Sequence, residues 1–317
     1  MKVLVTGAAG FIGSTTAELL LNHGHEVVAL DSLVSGREEN VPKGARFVKG
    51  DCGDVELVAS LGHFDACVHF AARIEPAESM KFPETFFNNN VASTFRLLDA
   101  LVQSRVERFV FSSSCAVYGD QTEMPIDEER PANPHSPYGQ SKRMVEEALH
   151  WLAQLGRIKA ATLRYFNAAG GTLLHPENHN PEIHLIPIAL DAATGRRDHL
   201  DIYGTDYPTP DGTCIRDYIH VSDLAVAHIR AIEALGEHQE LTLNLGTGVG
   251  SSNREVVETV KRVTGQEFEV RYTQRRPGDP AAAIASSDRA RDVLGWRPER
   301  SSLDDIVTDA WAAYQSL

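Results

Sequence analysis

The chain has 317 residues, 42% of them hydrophobic, and a formal net charge of −14. That is enough apolar material for one large domain or two packed ones. So acidic a chain offers no broad basic face to a nucleic-acid polyanion, and a phosphorylated ligand would need local Arg or Lys. Cys52, Cys67, Cys115 and Cys214 form no Cys-x-x-Cys pair and show no metal-ligand spacing. They read as reduced thiols. No apolar run reaches a membrane-spanning length, and the first strand begins too early to leave room for a leader segment. A cytoplasmic protein is the expectation.

Short β-branched runs alternate with helical patterns along the first half. Lys2–Thr6 reads as a strand, Phe11–Asn22 as a helix, and Glu26–Asp31 and Ala45–Lys49 as strands. Ala66–Phe70 is a fourth strand, about Pro83–Gln103 a helix, Arg108–Ser113 a fifth strand, Tyr138–Gln154 a helix and Ala160–Arg164 a sixth strand. Continuous apolar strands separated by helices imply an α/β fold with a doubly wound parallel sheet, covered on both faces. Ligands of such sheets lie outside the carboxyl ends of the strands. Beyond Asn167 the periodicity fades. His175–His184 is a loop rich in His, Pro and Asn, Asp206–Gly212 is turn-rich, and Leu241–Gly246 reads as one more buried strand. The expected division is a dinucleotide-binding domain over 1–168, joined by parts of 214–248, and a smaller mixed α/β substrate lobe over 169–317.

Gly7-Ala8-Ala9-Gly10-Phe11-Ile12-Gly13 follows the first strand and opens the first helix. Glycines there let backbone N–H groups approach a pyrophosphate, and the helix N-terminus favours its charge. Asp31 ends the second strand. Its carboxylate can accept from both hydroxyls of an adenosine ribose and would repel a 2′-phosphate. Neither Ser32 nor Leu33 supplies an Arg for such a phosphate, so the cofactor expected is NAD. Asp51, after the third strand, is a candidate partner for the adenine amine.

Tyr138 and Lys142 stand four apart, one helical turn, on one face. A phenolate at pH 7 costs about 4 kcal/mol for an ordinary tyrosine. A lysine ammonium and a nicotinium ring would lower that cost and make Tyr138 a general base toward an alcohol. Ser112-Ser113-Ser114 ends the fifth strand, where a hydroxyl can share a proton with the substrate oxygen.

With Ser114, Tyr138 and Lys142 as its triad, the chain resembles the extended short-chain dehydrogenase/reductase family, with its Rossmann sheet. Within it the resemblance is to the branch of UDP-sugar 4-epimerases, which interconvert UDP-glucose and UDP-galactose. The closer match is carried by Val68–Ala72, Asn89–Val91, Phe111–Gly119, Leu163–Asn167, Gly195–Asp198, Ile202–Thr209 and Asp211–Val221. The resemblance implies NAD retained through turnover, a UDP-sugar substrate, and a homodimer built from the helices near 83–103 and 138–154. On the cofactor side it assigns Gly7, Gly10, Phe11, Ile12, Gly13, Asp31, Ser32, Asp51, Cys52, Phe70, Ala71, Ala72, Arg73, Asn89, Ser112, Tyr138, Lys142 and Phe166. On the substrate side it assigns Ser114, Tyr138, Asn167, His184, Leu185, Tyr203, Arg216, Arg276, Asp279 and Ala283. Two guanidinium groups to clamp a diphosphate make physical sense in so acidic a chain.

Three positions depart from the pattern of many relatives. Arg73 and Glu75 stand where a lysine is common shortly after the His-Phe-Ala segment. His184 replaces an Asn found in some. Ala283 is small where strict hexose enzymes tend to be bulky, which suggests room for an N-acetyl group. Rival readings are 4-epimerisation of a UDP-uronate or UDP-pentose, a 4,6-dehydratase, and a non-catalytic NAD or UDP-sugar sensor. The dehydratase needs an Asp-Glu pair where Cys115-Ala116 stands, and the intact triad argues against the sensor. His175, Glu177, His179, Glu182 and His184 crowd ten positions, but Pro176 and Pro181 break helical spacing. The stretch reads as a polar substrate-side loop, and no metal is expected.

Overall fold

The computed structural model describes residues 1–316 apart from 178, 180, 277 and 278. The first half runs β1 (Lys2–Thr6), α1 (Phe11–Asn22), β2 (Glu26–Asp31), β3 (Arg46–Lys49), α2 (Val55–Ser60), β4 (Ala66–His69), α3 (Pro76–Ser79) and α4 (Pro83–Phe86). A π-helical turn, Phe87–Ser93, leads into α5 (Thr94–Gln103). Then come β5 (Arg108–Ser114), α6 (Pro137–Gln154), β6 (Lys159–Tyr165) and β7 (Asn167–Ala169). The rest comprises α7 (Leu185–Ala193), β8 (His199–Tyr203), β9 (Ile215–Arg216), β10 (Tyr218–His220), α8 (Val221–Ala234), β11 (Glu240–Leu245) and β12 (Ser251–Ser252). It ends with α9 (Asn253–Thr264), β13 (Glu269–Thr273), β14 (Ala282–Ala283), α10 (Asp288–Leu294) and α11 (Leu303–Tyr314).

The large sheet has the order β3-β2-β1-β4-β5-β6-β11, with every pair parallel. The parallel sheet read from the sequence is present, and its strands match the expected runs to within a residue or two. Alternation along β1 sets the two layers. Val3 and Val5 face a cluster with Ala17, Leu20, Leu224 and Ala227 of α1 and α8. Leu4 faces the opposite cluster, with Leu97, Leu101, Val145 and Leu149 of α5 and α6. Strand order reverses between β1 and β4, which opens a crevice at their carboxyl ends. The helix expected over about 83–103 is interrupted by the π turn. The turn buries Asn90 and Val91, and its i→i+5 bonding is not encoded by any spacing read from the sequence.

A separate core joins α7, α9 and α11 with β8 and β13, through Leu190, Ile202, Val256, Val260, Ile306 and Val307. Capping sets several of these boundaries. Ser252 and Glu255 form a capping box on α9, which ends at left-handed Gly265, and Ser302 caps α11. No helix among the described residues is long and apolar enough to cross a membrane.

Candidate active site

The glycine turn is pressed between two backbones. Gly7 has φ +72, and a Cβ built on it would lie 2.6 Å from Ala71 N. A Cβ on Gly13 would lie 2.1 Å from Gly7 O. These contacts seat the start of α1 against the turn after β1, and that turn against the chain leaving β4. Gly10, the N-cap of α1, provides no side-chain cap. The first-turn N–H groups, of Phe11 and Ile12 among others, have no intrahelical acceptor and are available to an anion. Asp31 is buried. Its Oδ2 accepts from Ala9 N at 2.9 Å and its Oδ1 from Leu33 N at 2.8 Å, leaving each oxygen a second lone pair. Ser32 follows, exposed. Asp51 Oδ1 accepts from Gly53 N at 2.6 Å, and burial pushes the neighbouring Cys52 thiol up to about 12. A free buried donor row, an anchored carboxylate and a crevice at the strand reversal fit a dinucleotide.

Phe70, Ala71 and Ala72 continue from β4 along this crevice. Arg73 is held by Asn90: Arg73 N donates to Asn90 Oδ1 at 2.8 Å, and Asn90 Nδ2 donates to Arg73 O at 3.0 Å. Asn89, in the same π turn, donates to Asn90 Oδ1. Arg73 also pairs with Glu78 at 3.8 Å.

Ser136 caps α6 by accepting from Gly139 N, and Pro137 occupies its first turn. This fixes Tyr138 and Lys142 on the buried face. Lys142 Nζ donates to Ser112 O at 2.7 Å and lies 5.9 Å from the Tyr138 ring centroid. Burial pushes the Tyr138 phenol up to about 12, against the hydrogen bond with Ser114 that lowers it. Burial pushes Lys142 down to about 7, with Glu146 opposing. Each group alone resists charging. Charging both together, phenolate against ammonium, relieves both costs. The triad residues named from sequence are thus brought together.

Several participants escaped sequence reasoning. His69 is buried, with Nδ1 2.6 Å from Thr6 Oγ1 and Nε2 2.8 Å from Thr94 Oγ1, and burial pushes it down to about 3. It is a neutral tie between β1 and α5. Tyr165 hydrogen-bonds Ser112 through its hydroxyl. Ser79 accepts from Tyr138 N at 3.1 Å. Behind the triad, Arg164 forks onto Glu146 at 2.9 and 2.6 Å, and Ser113 Oγ donates to Glu146 at 2.6 Å. Arg164 also donates to the Tyr118 hydroxyl, which donates to Asn244 of β11. Glu146→Ala is expected to cost about 3–5 kcal/mol in urea unfolding, because it strands a buried guanidinium. A cost below about 1 kcal/mol would show that the pair does not brace the sheet.

On the far side of the crevice, Phe166 packs with Val117, Tyr118, Ile126, Ala283 and Ala285. Asn167 N donates to Asp217 O at 3.0 Å. Arg276 stacks on Tyr203, with its Cζ 3.8 Å from the ring centroid. Arg216 Nη1 donates to Ile215 O and Pro280 O, both at 2.9 Å, and Asp279 N donates to Arg276 O. Neither Arg216 nor Arg276 has a carboxylate partner among the described residues. Ala283 pairs in register with Arg216, between β14 and β9. His184 and Leu185 open α7. Burial alone would lower the His184 pKa, but Glu177 and Glu182 outweigh it and hold it up at about 9. Glu75, unexplained by sequence, adds to that same field.

Fold and site define a short-chain dehydrogenase/reductase of the extended kind, an NAD-dependent epimerase. The chain belongs to the NAD dependent epimerase/dehydratase family, whose model matches residues 3–246. It is similar to UDP-glucose 4-epimerase of Corynebacterium glutamicum, 45% identical over 100% of this chain and 97% of that one. Among solved structures it is similar to UDP-glucose 4-epimerase from Brucella ovis in complex with NAD, at TM-score 0.95 and 44% identity, covering 98% of this chain and 97% of that one. The enzyme from Bifidobacterium longum in complex with NAD+ and UDP superposes at TM-score 0.94 with 34% identity, covering 99% and 98% of the two chains.

Proposed function

We propose that the chain interconverts UDP-glucose and UDP-galactose by transient oxidation at carbon 4 of the sugar. The observation that carries this is the Tyr138–Lys142 pair, buried one turn apart beside Ser112 and Ser114. NAD, when bound, supplies the acceptor and then the donor of hydride. Gly7, Gly10 and Gly13 allow its pyrophosphate close to the backbone, with the first-turn N–H groups as donors, and Asp31 takes its ribose hydroxyls. Tyr138 removes the proton from sugar O4 and later returns it. Ser114 shares a hydrogen bond with that oxygen, and Lys142 holds the phenolate. Arg216 and Arg276 clamp the diphosphate, aided by Tyr203, Asp279, Asn167, His184 and Leu185. A firm hold on UDP and a light one on the sugar let the ketone present either face.

The division into a cofactor domain over 1–168, joined by parts of 214–248, and a substrate lobe over 169–317 follows from this reading. So does a homodimer through α4–α5 and α6. Supporting it, Phe95 and Trp151 on those helices are 41% and 65% exposed. A second substrate class, UDP-N-acetylhexosamine, is favoured by the small Ala283.

The test is epimerisation of UDP-galactose by dialysed protein without added NAD, beside UDP-N-acetylgalactosamine. Conversion of the first without added cofactor is the expected result, and the second then reads the role of Ala283. Failure on both, with NAD supplied, would redirect the assignment to UDP-uronates and UDP-pentoses.

A further inference from the structure

The loop before α7 gathers a cluster of side chains of which only His184 has a place in the proposed substrate site. Of the five crowded residues, His175 turns away, with Nε2 3.0 Å from Glu18 Oε2 on α1. The other four converge: one ligand atom from each of Glu177, His179, Glu182 and His184 lies within 4.8 Å of the rest. His184 Nδ1 is 2.8 Å from Glu182 and 3.1 Å from Glu177. His179 Nδ1 is 3.6 Å from Glu182 and 3.8 Å from Glu177. A tetrahedral zinc ion with ligands at about 2.0–2.1 Å sets ligand-to-ligand edges of about 3.3 Å. His184 and His179 lie 3.1 and 3.8 Å from the same Glu177 oxygen, on either side of that value, and Glu182 turns one oxygen to each imidazole, at 2.8 and 3.6 Å.

Protons alone satisfy this arrangement poorly. Both imidazoles turn Nδ1 toward the same two carboxylates, sharing Glu177 Oε1 and taking one oxygen each of Glu182. One N–H, on His184, makes a short contact. His179 Nδ1 is buried and, among the described residues, has no hydrogen-bond partner. One central cation would serve all four groups at once. The Glu182 carboxylate is also oriented by backbone donors, as metal-ligating carboxylates commonly are. His179 N, Ile183 N and His184 N donate to it at 3.1, 2.9 and 2.9 Å.

We propose that Glu177, His179, Glu182 and His184 bind one divalent transition-metal ion of the zinc class. Two imidazoles and two carboxylates in a closed set of four suit zinc better than calcium or magnesium, which demand more oxygen ligands. With four protein ligands, no open position remains for a reacting water, so the ion is structural. It pins the loop on which His184 and Leu185 face the substrate side. This departs from the sequence expectation of no metal. That expectation assumed helical ligand spacing, whereas the turn at Pro181 folds Glu177 and His179 back onto Glu182 and His184.

The experiment uses tag-free full-length protein, stripped with chelator, reloaded with zinc chloride alone, and gel-filtered. About one zinc per chain should be retained, and zinc should raise the melting temperature. Calcium chloride should do neither. His179→Ala and the milder Glu177→Gln should each lower retained zinc about tenfold or more, with the far-ultraviolet circular dichroism of the parent. Wild-type protein that retains no zinc and melts unchanged in its presence would overturn the proposal. So would equal zinc content in a folded His179→Ala. Metal content and melting are read without assaying turnover, so this outcome is independent of the sugar specificity.

Discussion

Tyr138→Phe is expected to lower kcat on UDP-galactose about 1,000-fold, or about 4 kcal/mol in the barrier, while the protein keeps its NAD. The substitution removes one hydroxyl and leaves the ring in place on the buried face of α6. The pH dependence has a definite sign. A base acts only when deprotonated, so the rate falls on the acid side of the apparent Tyr138 pKa. Burial pushes that pKa up to about 12, and the working enzyme must bring it down with cations. Lys142 is the protein's own cation there, 5.9 Å from the ring centroid. Lys142→Met should therefore move the acid limb to higher pH, by about 1 to 3 pH units. Initial rates from pH 6 to 10 would check both variants. A Tyr138→Phe enzyme of near-parental kcat would remove Tyr138 from the role of base, and a Lys142→Met limb that stays put would remove Lys142 from tuning it.

Gly13→Ala should be nearly as damaging for a different reason. Its Cβ would stand 2.1 Å from Gly7 O and 2.9 Å from Gly7 C, both backbone atoms. Gly7 cannot retreat, because its own Cβ position is already 2.6 Å from Ala71 N. Relief requires α1 to lift from the turn after β1, which costs about 3 kcal/mol and spoils the anion seat. The variant should melt well below the parent and lose NAD on gel filtration. Gly10→Ala meets the same Gly7 O at 3.3 Å, a far milder contact, and should melt between Gly13→Ala and the parent. A Gly13→Ala protein that melts normally with NAD bound would show that the turn is not rigid.

Much of this was legible in the sequence, and the omissions have physical causes. Strands buried on both faces write long apolar runs, so β1 to β6 and β11 could be read directly. The glycine turn and Asp31 could be read because their chemistry depends on neighbours in the chain. The rest of the second half could not. Its strands β9, β12 and β14 are two residues long, too short to show alternation. Buried polar residues in loops were equally opaque. Asp217 looks like a solvated loop acid, yet it is fully buried. It accepts from Thr247 N, Gly248 N and Ala285 N, and so fastens the stretch bearing Ala283 to the end of β11. His69 and Glu146 likewise act through partners far away in sequence. In each case the meaning lies in a pairing that no local pattern encodes.

The strand order also separates the sequence of synthesis from the sequence of assembly. β6 gains its outer neighbour, β11, only after everything from Asn167 to Gln239 has been made. α8, which covers one face of α1 and β1, comes from that same later stretch. A nascent chain that has completed β6 therefore carries an open strand edge and an uncovered apolar face. The stretch from β1 to β6 is thus not a complete layer when its own sequence ends. Its open edge and bare face are covered only by β11 and α8, which the chain supplies later.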